Sequence, residues 1–136
     1  VDAVMFLDTS AIVALLLREK EAGRIANSIA RASKRFTSPL VRLETCMVLS
    51  TRLEITPGEA NEQFDKFLEQ SQIAVLPITD EIGELAVAAF EKFGKGRKSK
   101  AKLNLADCMS YACAKARHAS ILFVGRDFGH TDLTIA

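Results

Sequence analysis

Four carboxylates occupy positions where they could act together: Asp8, Glu44, Asp107 and Asp127. Asp8 closes the apolar run Ala3-Val4-Met5-Phe6-Leu7, the pattern of a buried strand, and stands at the start of a helix. Asp127 follows the strand-like run Ser120 to Val124. An acid after a strand also serves as a helix cap or a turn residue, so neither is specific alone. Glu44 is more telling. It falls at i+4 within an apolar stripe of Leu40, Leu43, Met47 and Val48, on a helix opened by Ser38-Pro39. An ionised carboxylate facing a core is costly unless a cation or hydrogen-bond donors meet it; Arg42 and Arg52 are the basic residues near enough in sequence to do so. Asp107 is the third residue of a helix capped by Asn104, and the residues around it are almost free of charge. Such a helix is buried, with Asp107 at its mouth.

The four acids gain meaning as a set. At ~5 Å and an effective dielectric near 20, each pair of carboxylates repels by roughly 3 kcal/mol, so a fold that gathers them needs a neutralising cation or a shared proton. Oxygen donors suit a hard divalent ion, Mg²⁺ or Mn²⁺. Sites of this kind activate water and stabilise the leaving oxygen in phosphodiester cleavage. Zinc and disulfide frameworks are poor readings: Cys46, Cys108 and Cys113 are odd in number and lack C-x-x-C spacing, which predicts reduced, buried thiols. His118 and His130 read as structural, and no glycine-rich phosphate loop is present.

The elements that must position these acids alternate between strand and helix. Strands are expected at Ala3–Leu7, Arg35–Thr37, Ile73–Ile78 and Ser120–Val124, with an edge strand at Leu133–Ile135. Helices are expected over 10–18, 21–32 (inner stripe Ala22, Ile25, Ala26, Ile29), 39–54, 79–93 and 104–117, with a further one opening at 56. Thr56 and Glu59 form a capping box, and the helix they open carries Ala60, Phe64, Phe67 and Leu68 on one face. Phe64, Phe67, Phe90 and Phe93 read as core or dimer surface. Residues 94–102, with Lys95, Arg97, Lys98, Lys100 and Lys102, form a basic, flexible loop. The alternation predicts a mostly parallel sheet covered on both faces, a three-layer α/β/α architecture with ligands at the C-terminal edge of the strands.

The chain has 136 residues, 49% of them hydrophobic and 26% charged, which fits a single domain over 1–136 and excludes wholesale disorder. Its net charge of +1 predicts no polyanion partner by itself. The apolar runs are far short of the ~20 residues that span a bilayer, so no membrane partner is expected. The opening residues Val1 to Met5 lack a basic stretch or cleavage pattern, and together with the cysteines they point to the cytoplasm.

At the acids the chain resembles the PIN-domain ribonucleases, in particular the VapC toxins of bacterial toxin–antitoxin pairs. The resemblance runs the whole length. It rests on Phe6-Leu7-Asp8-Thr9-Ser10-Ala11, Arg42-Leu43-Glu44-Thr45, Leu103-Asn104-Leu105-Ala106-Asp107-Cys108-Met109-Ser110-Tyr111-Ala112 and Gly125-Arg126-Asp127-Phe128-Gly129-His130-Thr131-Asp132-Leu133, in that order. It implies a Mg²⁺-dependent endoribonuclease with Asp8 and Asp107 as principal metal ligands, and with Glu44 and Asp127 completing the acidic pocket. Thr9 and Ser10 would hold a carboxylate or a metal-bound water. It also implies an RNA substrate, a homodimer, and a cognate VapB-type antitoxin that feeds a segment into the acidic groove, where a basic side chain would replace the ion's charge. Many relatives carry two acids before the last motif's Phe; here Arg126 stands in place of one, and Asp132 would supply part of the missing charge. Beside such a site the basic loop would bind RNA phosphates.

Two other readings differ in kind. A haloacid-dehalogenase-like phosphatase also has an Asp after its first strand, but its chemistry wants a second acid two residues on, where this chain has Ser10. An RNA- or protein-binding domain of PIN-like fold that has lost activity is the other, and Arg126 is the residue that favours it.

Overall fold

The computed structural model describes residues 3–136; Val1 and Asp2, the head of the segment read above for an export signal, lie outside the described residues. The centre is β1 (Val4–Leu7), an apolar strand whose last three residues are buried. It is flanked by β2 (Lys34–Thr37) and then β3 (Ile73–Val75) on one side, and by β4 (Ser120–Leu122) on the other. All three pairings are parallel. Each parallel step needs a crossover, and pairs of helices supply them. α1 (Thr9–Leu16) and α2 (Ala22–Arg31) join β1 to β2; α3 (Pro39–Arg52) and α4 (Pro57–Ser71) join β2 to β3; α5 (Asp80–Phe93) and α6 (Leu105–Ala116) join β3 to β4.

Right-handed crossovers place α1 to α4 on one face and α5 and α6 on the other, because the chain moves outward from β1 twice and then returns past it. The result is the expected α/β/α sandwich. Phe6, Leu7, Ile12, Ile121 and Leu122 are fully buried at its middle, and the Phe6 ring meets Phe36 edge-on at 5.3 Å. The cap signals act as read: Ser38, Thr56, Thr79 and Asn104 each accept a backbone N–H at the head of their helix. The three cysteines are free and buried. Among the described residues no helix is long and apolar enough to cross a membrane.

Several expectations are corrected. The buried face of α3 is Val41, Thr45, Cys46 and Leu49, whereas Leu43 and Met47 are 57% and 59% exposed. The helix has two interleaved apolar stripes, and the one with the smaller, more polar side chains is the one that packs. Glu44 therefore sits at the margin of the core, half-buried. In α2 only Ile25 and Ile29 of the expected stripe are buried, and Ala26 is exposed. β3 stops at Val75: Leu76 N–H still reaches the Thr37 carbonyl at 3.0 Å, but Pro77 has no N–H to extend the ladder. The expected edge strand at Leu133–Ile135 reduces to a single bridge, Ile135 with Ile121. The basic segment is a pinned loop, closed at its base by a bridge between Gly94 and Leu103.

Candidate active site

The strand order reverses at β1, so the next two strands lie to one side and β4 to the other. Such a reversal leaves a crevice at the C-terminal ends of the two strands where it occurs, and open α/β sheets bind their ligands there. Asp8 follows β1 directly at this crevice. Its backbone N–H continues the ladder to the Leu122 carbonyl at 3.0 Å, while its side chain, 7% exposed, turns to cap α1. Asp8 Oδ2 accepts from the Ser10 backbone N–H at 3.1 Å and from the Ser10 hydroxyl at 2.7 Å. That hydroxyl in turn accepts from Val124 N–H at 2.9 Å. Ser10 thus rivets the end of β4 to the carboxylate, which is why β4 ends as a strand at Leu122 rather than at Val124.

Glu44 arrives from α3. Its Oε1 accepts from the Thr9 hydroxyl at 2.7 Å, one residue beyond Asp8. The basic residues expected as its partners are engaged elsewhere: Arg42 with Asn61 and Asp65, and Arg52 with Glu19. Burial lifts the Glu44 carboxyl above its usual range, the Thr9 bond opposes that rise, and Asp8 adds to it.

Asp107 sits at the third position of α6 and closes a capping box with Asn104. Its backbone N–H donates to Asn104 Oδ1 at 2.9 Å, and its Oδ2 accepts from Asn104 N–H at 3.1 Å. Burial raises this carboxyl from 3.8 to about 6, against the lowering effect of the Asn104 bond. Asp8, Asp127 and Glu44 all push it in the same direction. Asp8, Glu44 and Asp127 are therefore each within electrostatic reach of Asp107, although they come from the end of β1, from α3 and from the segment after β4. Asp127 is the exposed member. It opens a 3₁₀ turn, Asp127–His130, anchored by buried Phe128, whose ring meets Phe123 edge-on at 5.2 Å.

The gathering is electrostatic rather than a finished ligand set. Among the described residues, no three side chains of His, Cys, Asp and Glu stand close enough as placed to hold one ion. Asp107 spends one carboxylate oxygen on the cap of its own helix, α6. Even so, Asp8, Glu44 and Asp107 each hold a hydrogen bond on one carboxylate oxygen and, among the described residues, none on the other. An anchored carboxylate with one open oxygen suits a hard divalent ion, and the mutual repulsion at Asp107 is what such an ion would relieve.

Asp132 does not join the set. Its Oδ1 accepts from the Tyr111 hydroxyl at 2.5 Å and its Oδ2 from Lys115 at 2.9 Å, which draws the C-terminal segment onto the later turns of α6. These partners hold its carboxyl below the usual range. Both histidines are exposed and lie outside the group. Two features went unread in the sequence. The spacing Asn104-x-x-Asp107 was a legible capping-box signal. The bond from Arg24 on α2 to the Phe123 carbonyl, at 3.1 Å, spans 99 residues and left no local signal.

Comparison with known proteins agrees with this architecture. The family model for the PIN domain matches residues 5–133. The chain is 39% identical over 127 residues to ribonuclease VapC28 of Mycobacterium tuberculosis, covering 93% of both chains. It is 35% identical over 129 residues to ribonuclease VapC of Mycolicibacterium smegmatis, covering 95% of this chain and 97% of the relative. Among solved structures it superposes on Mycobacterium tuberculosis VapC20, a sarcin–ricin loop cleaving toxin, with a TM-score of 0.75 at 19% identity, over 97% of this chain and 98% of that one. The VapBC-1 complex of nontypeable Haemophilus influenzae gives 0.73 at 16% identity, over 98% and 96%.

Proposed function

The chain belongs to the PIN-domain family, and from that premise we propose that it is the toxic endoribonuclease of a VapBC-type toxin–antitoxin pair, folded as one domain over 1–136. What supports the reading is that Asp8 ends β1 where the strand order reverses, and that burial first, then the charges of Asp8, Asp127 and Glu44, push Asp107 up to about 6. A structural cap alone has no use for three further carboxylates around it.

Asp8 and Asp107 are the residues that would hold a divalent ion, Mg²⁺ or Mn²⁺, through their open oxygens. When bound, such an ion polarises the phosphodiester and supports the charge that develops on the leaving oxygen. The rest of the work falls to the protein. Thr9 fixes one oxygen of Glu44 and leaves the other without a partner among the described residues, available to orient an attacking water. Ser10 holds Asp8 in a single rotamer and ties it to β4. Asp127, on its exposed turn, accepts the proton that water loses as its oxygen bonds to phosphorus and the bond to the leaving oxygen breaks.

Restraint of such an activity requires a partner, and the protein offers exposed apolar surface on both faces of the sheet. Leu43 and Met47 on α3 project beside Glu44, and Val87, Phe90, Leu105 and Met109 line an apolar groove between α5 and α6. Exposed apolar area of this extent supports a homodimer and a cognate VapB-type antitoxin.

The test is direct. Purified protein with Mg²⁺ and a structured RNA should give discrete fragments, with cleavage abolished by EDTA and restored by excess Mg²⁺ or Mn²⁺. RNA retained but uncut under all metal conditions would assign the fold to a binding module instead.

A further inference from the structure

Five of the chain's 18 basic residues, Lys95, Arg97, Lys98, Lys100 and Lys102, lie in one loop between α5 and α6, leaving 13 basic residues against 17 acidic ones elsewhere. All five are exposed, and none forms an ion pair among the described residues. Like charges crowded on a disordered loop can spread apart. This loop cannot do so freely, because it is built.

Leu103 N–H donates to the Phe93 carbonyl and Lys95 N–H to the Leu103 carbonyl, both at 2.8 Å, which closes the base. Arg97 N–H turns back to the Gly94 carbonyl at 3.0 Å, and Ala101 N–H is taken by the Ser99 hydroxyl at 3.1 Å. Ala101 and Leu103 are fully buried, and a Cβ at Gly94 would run into the Phe90 ring and carbonyl. Gly96 takes a φ of +87°, a turn conformation that a side chain would strain. A frame that displays five exposed cations, none in an ion pair among the described residues, sustains a local positive field that attracts a polyanion.

The frame also runs straight into the acidic site. Leu103 leads into Asn104, the cap that holds Asp107. Lys102 is five residues from Asp107, at most about 18 Å along a fully extended chain. An RNA bond placed at the acids carries a charged phosphate at each neighbouring nucleotide, a spacing that can meet Lys102 and the loop behind it. We propose that the loop of residues 95–102 binds the sugar-phosphate backbone of the RNA strand beside the cleaved bond, without reading its bases. This rests on the ribonuclease reading above and gives that site its substrate grip. An acidic protein segment is the competing occupant; RNA is favoured because the adjacent acids already take a phosphodiester in the reading above, whose strand carries one charge per nucleotide toward the loop.

Binding of an unstructured oligouridylate to the full chain in EDTA, across a series of salt concentrations, tests this. Each single-strand phosphate contact contributes about 0.7 to the slope of log affinity against log salt. The double variant Lys98→Ala/Lys100→Ala should lower that slope by about 1.4 and keep the wild-type thermal midpoint. A control pair outside the loop, Lys20→Ala/Lys66→Ala, should keep the wild-type slope. An unchanged slope in the loop variant, or an equal fall in the control, overturns the assignment while cleavage by wild type still upholds the ribonuclease. Wild-type protein that neither binds nor cuts RNA overturns both. Binding of polyglutamate lost on the loop substitutions, with the RNA slope intact, assigns the loop to an acidic protein segment and overturns the proposal as well.

Discussion

Asp8 and Asp127 both follow a parallel strand at the same edge of the sheet, yet the protein holds them very differently. Asp8 is buried, bonded twice by Ser10, and fixed to the neighbouring strand through the same hydroxyl. Asp127 lies exposed on a 3₁₀ turn whose first residue has no side-chain cap. The turn is held from behind, by the Phe128 ring against Phe123 and by Asp132 on Tyr111. One acid is positioned before any ligand arrives; the other is adjustable. Preorganised charge contributes most to a reaction because no reorganisation is needed at the moment of bond breaking. The two positions should therefore differ in what they contribute.

The largest expected effect follows from that contrast. Asp8→Asn should lower RNA cleavage by about 10³-fold, the scale of losing a preorganised electrostatic group. Asp127→Asn should lower it by about 10²-fold, the lower end of the range for a positioned general base, and excess Mg²⁺ should not recover the loss. Initial rates on one labelled RNA at matched protein and metal concentrations compare them. Equal losses at both positions would end the distinction between a fixed and an adjustable acid.

The sequence carried the local half of this picture and little of the distant half. Strand β1, the caps at Ser38, Thr56 and Asn104, and the buried face of α4 were readable because each depends on neighbours within one or two helical turns. Glu44 was singled out correctly as an acid needing a partner, but by way of the wrong stripe, since periodicity cannot say which of two apolar faces of α3 the sheet will cover. Thr9 is the partner it has, 35 residues away. Asp132 reads toward the site because Arg126 stands where many relatives carry a second acid; in space Tyr111 and Lys115 capture it. The loop of residues 95–102 reads as flexible because its pinning contacts, the backbone bonds at its base, the Ser99 hydroxyl on Ala101 N–H and the burial of Ala101, leave no periodic signal in the sequence.

A smaller effect should appear in the pH dependence of stability. Asp107 binds its proton more tightly folded, near 6, than unfolded, near 3.8. Across that window the folded state keeps a proton that the unfolded chain has released, so this group's contribution to stability falls as pH rises from about 4 to about 6. The ceiling is about 3 kcal/mol for two pH units, and partial burial makes the expected loss about 2. Asp132 acts in the opposite sense, since its carboxyl is held below the usual range, so the informative quantity is the difference between proteins. In EDTA, urea midpoints at pH 4.5 and 7.5 should show wild type losing stability relative to Asp107→Asn as pH rises. Mg²⁺ should reverse that loss in wild type alone. A variant that tracks wild type at both pH values would mean that Asp107 carries no strain for an ion to relieve.

The smallest effects return to the two strand ends. Ser10→Ala removes the hydroxyl that joins Asp8 to Val124 and leaves a part-buried backbone N–H without its acceptor, which costs about 1–3 kcal/mol. The matching change on the other side is Thr131→Ala. It removes a bond to the Phe128 carbonyl at 2.7 Å and one from Leu133 N–H at 3.3 Å, in a segment where water can replace both. Its expected cost is below about 1 kcal/mol. Chemical denaturation of the two variants measures the gap. If Thr131→Ala proves as destabilising as Ser10→Ala, the turn carrying Asp127 is held as firmly as the head of α1, and the smaller catalytic effect expected at Asp127 would need a different cause.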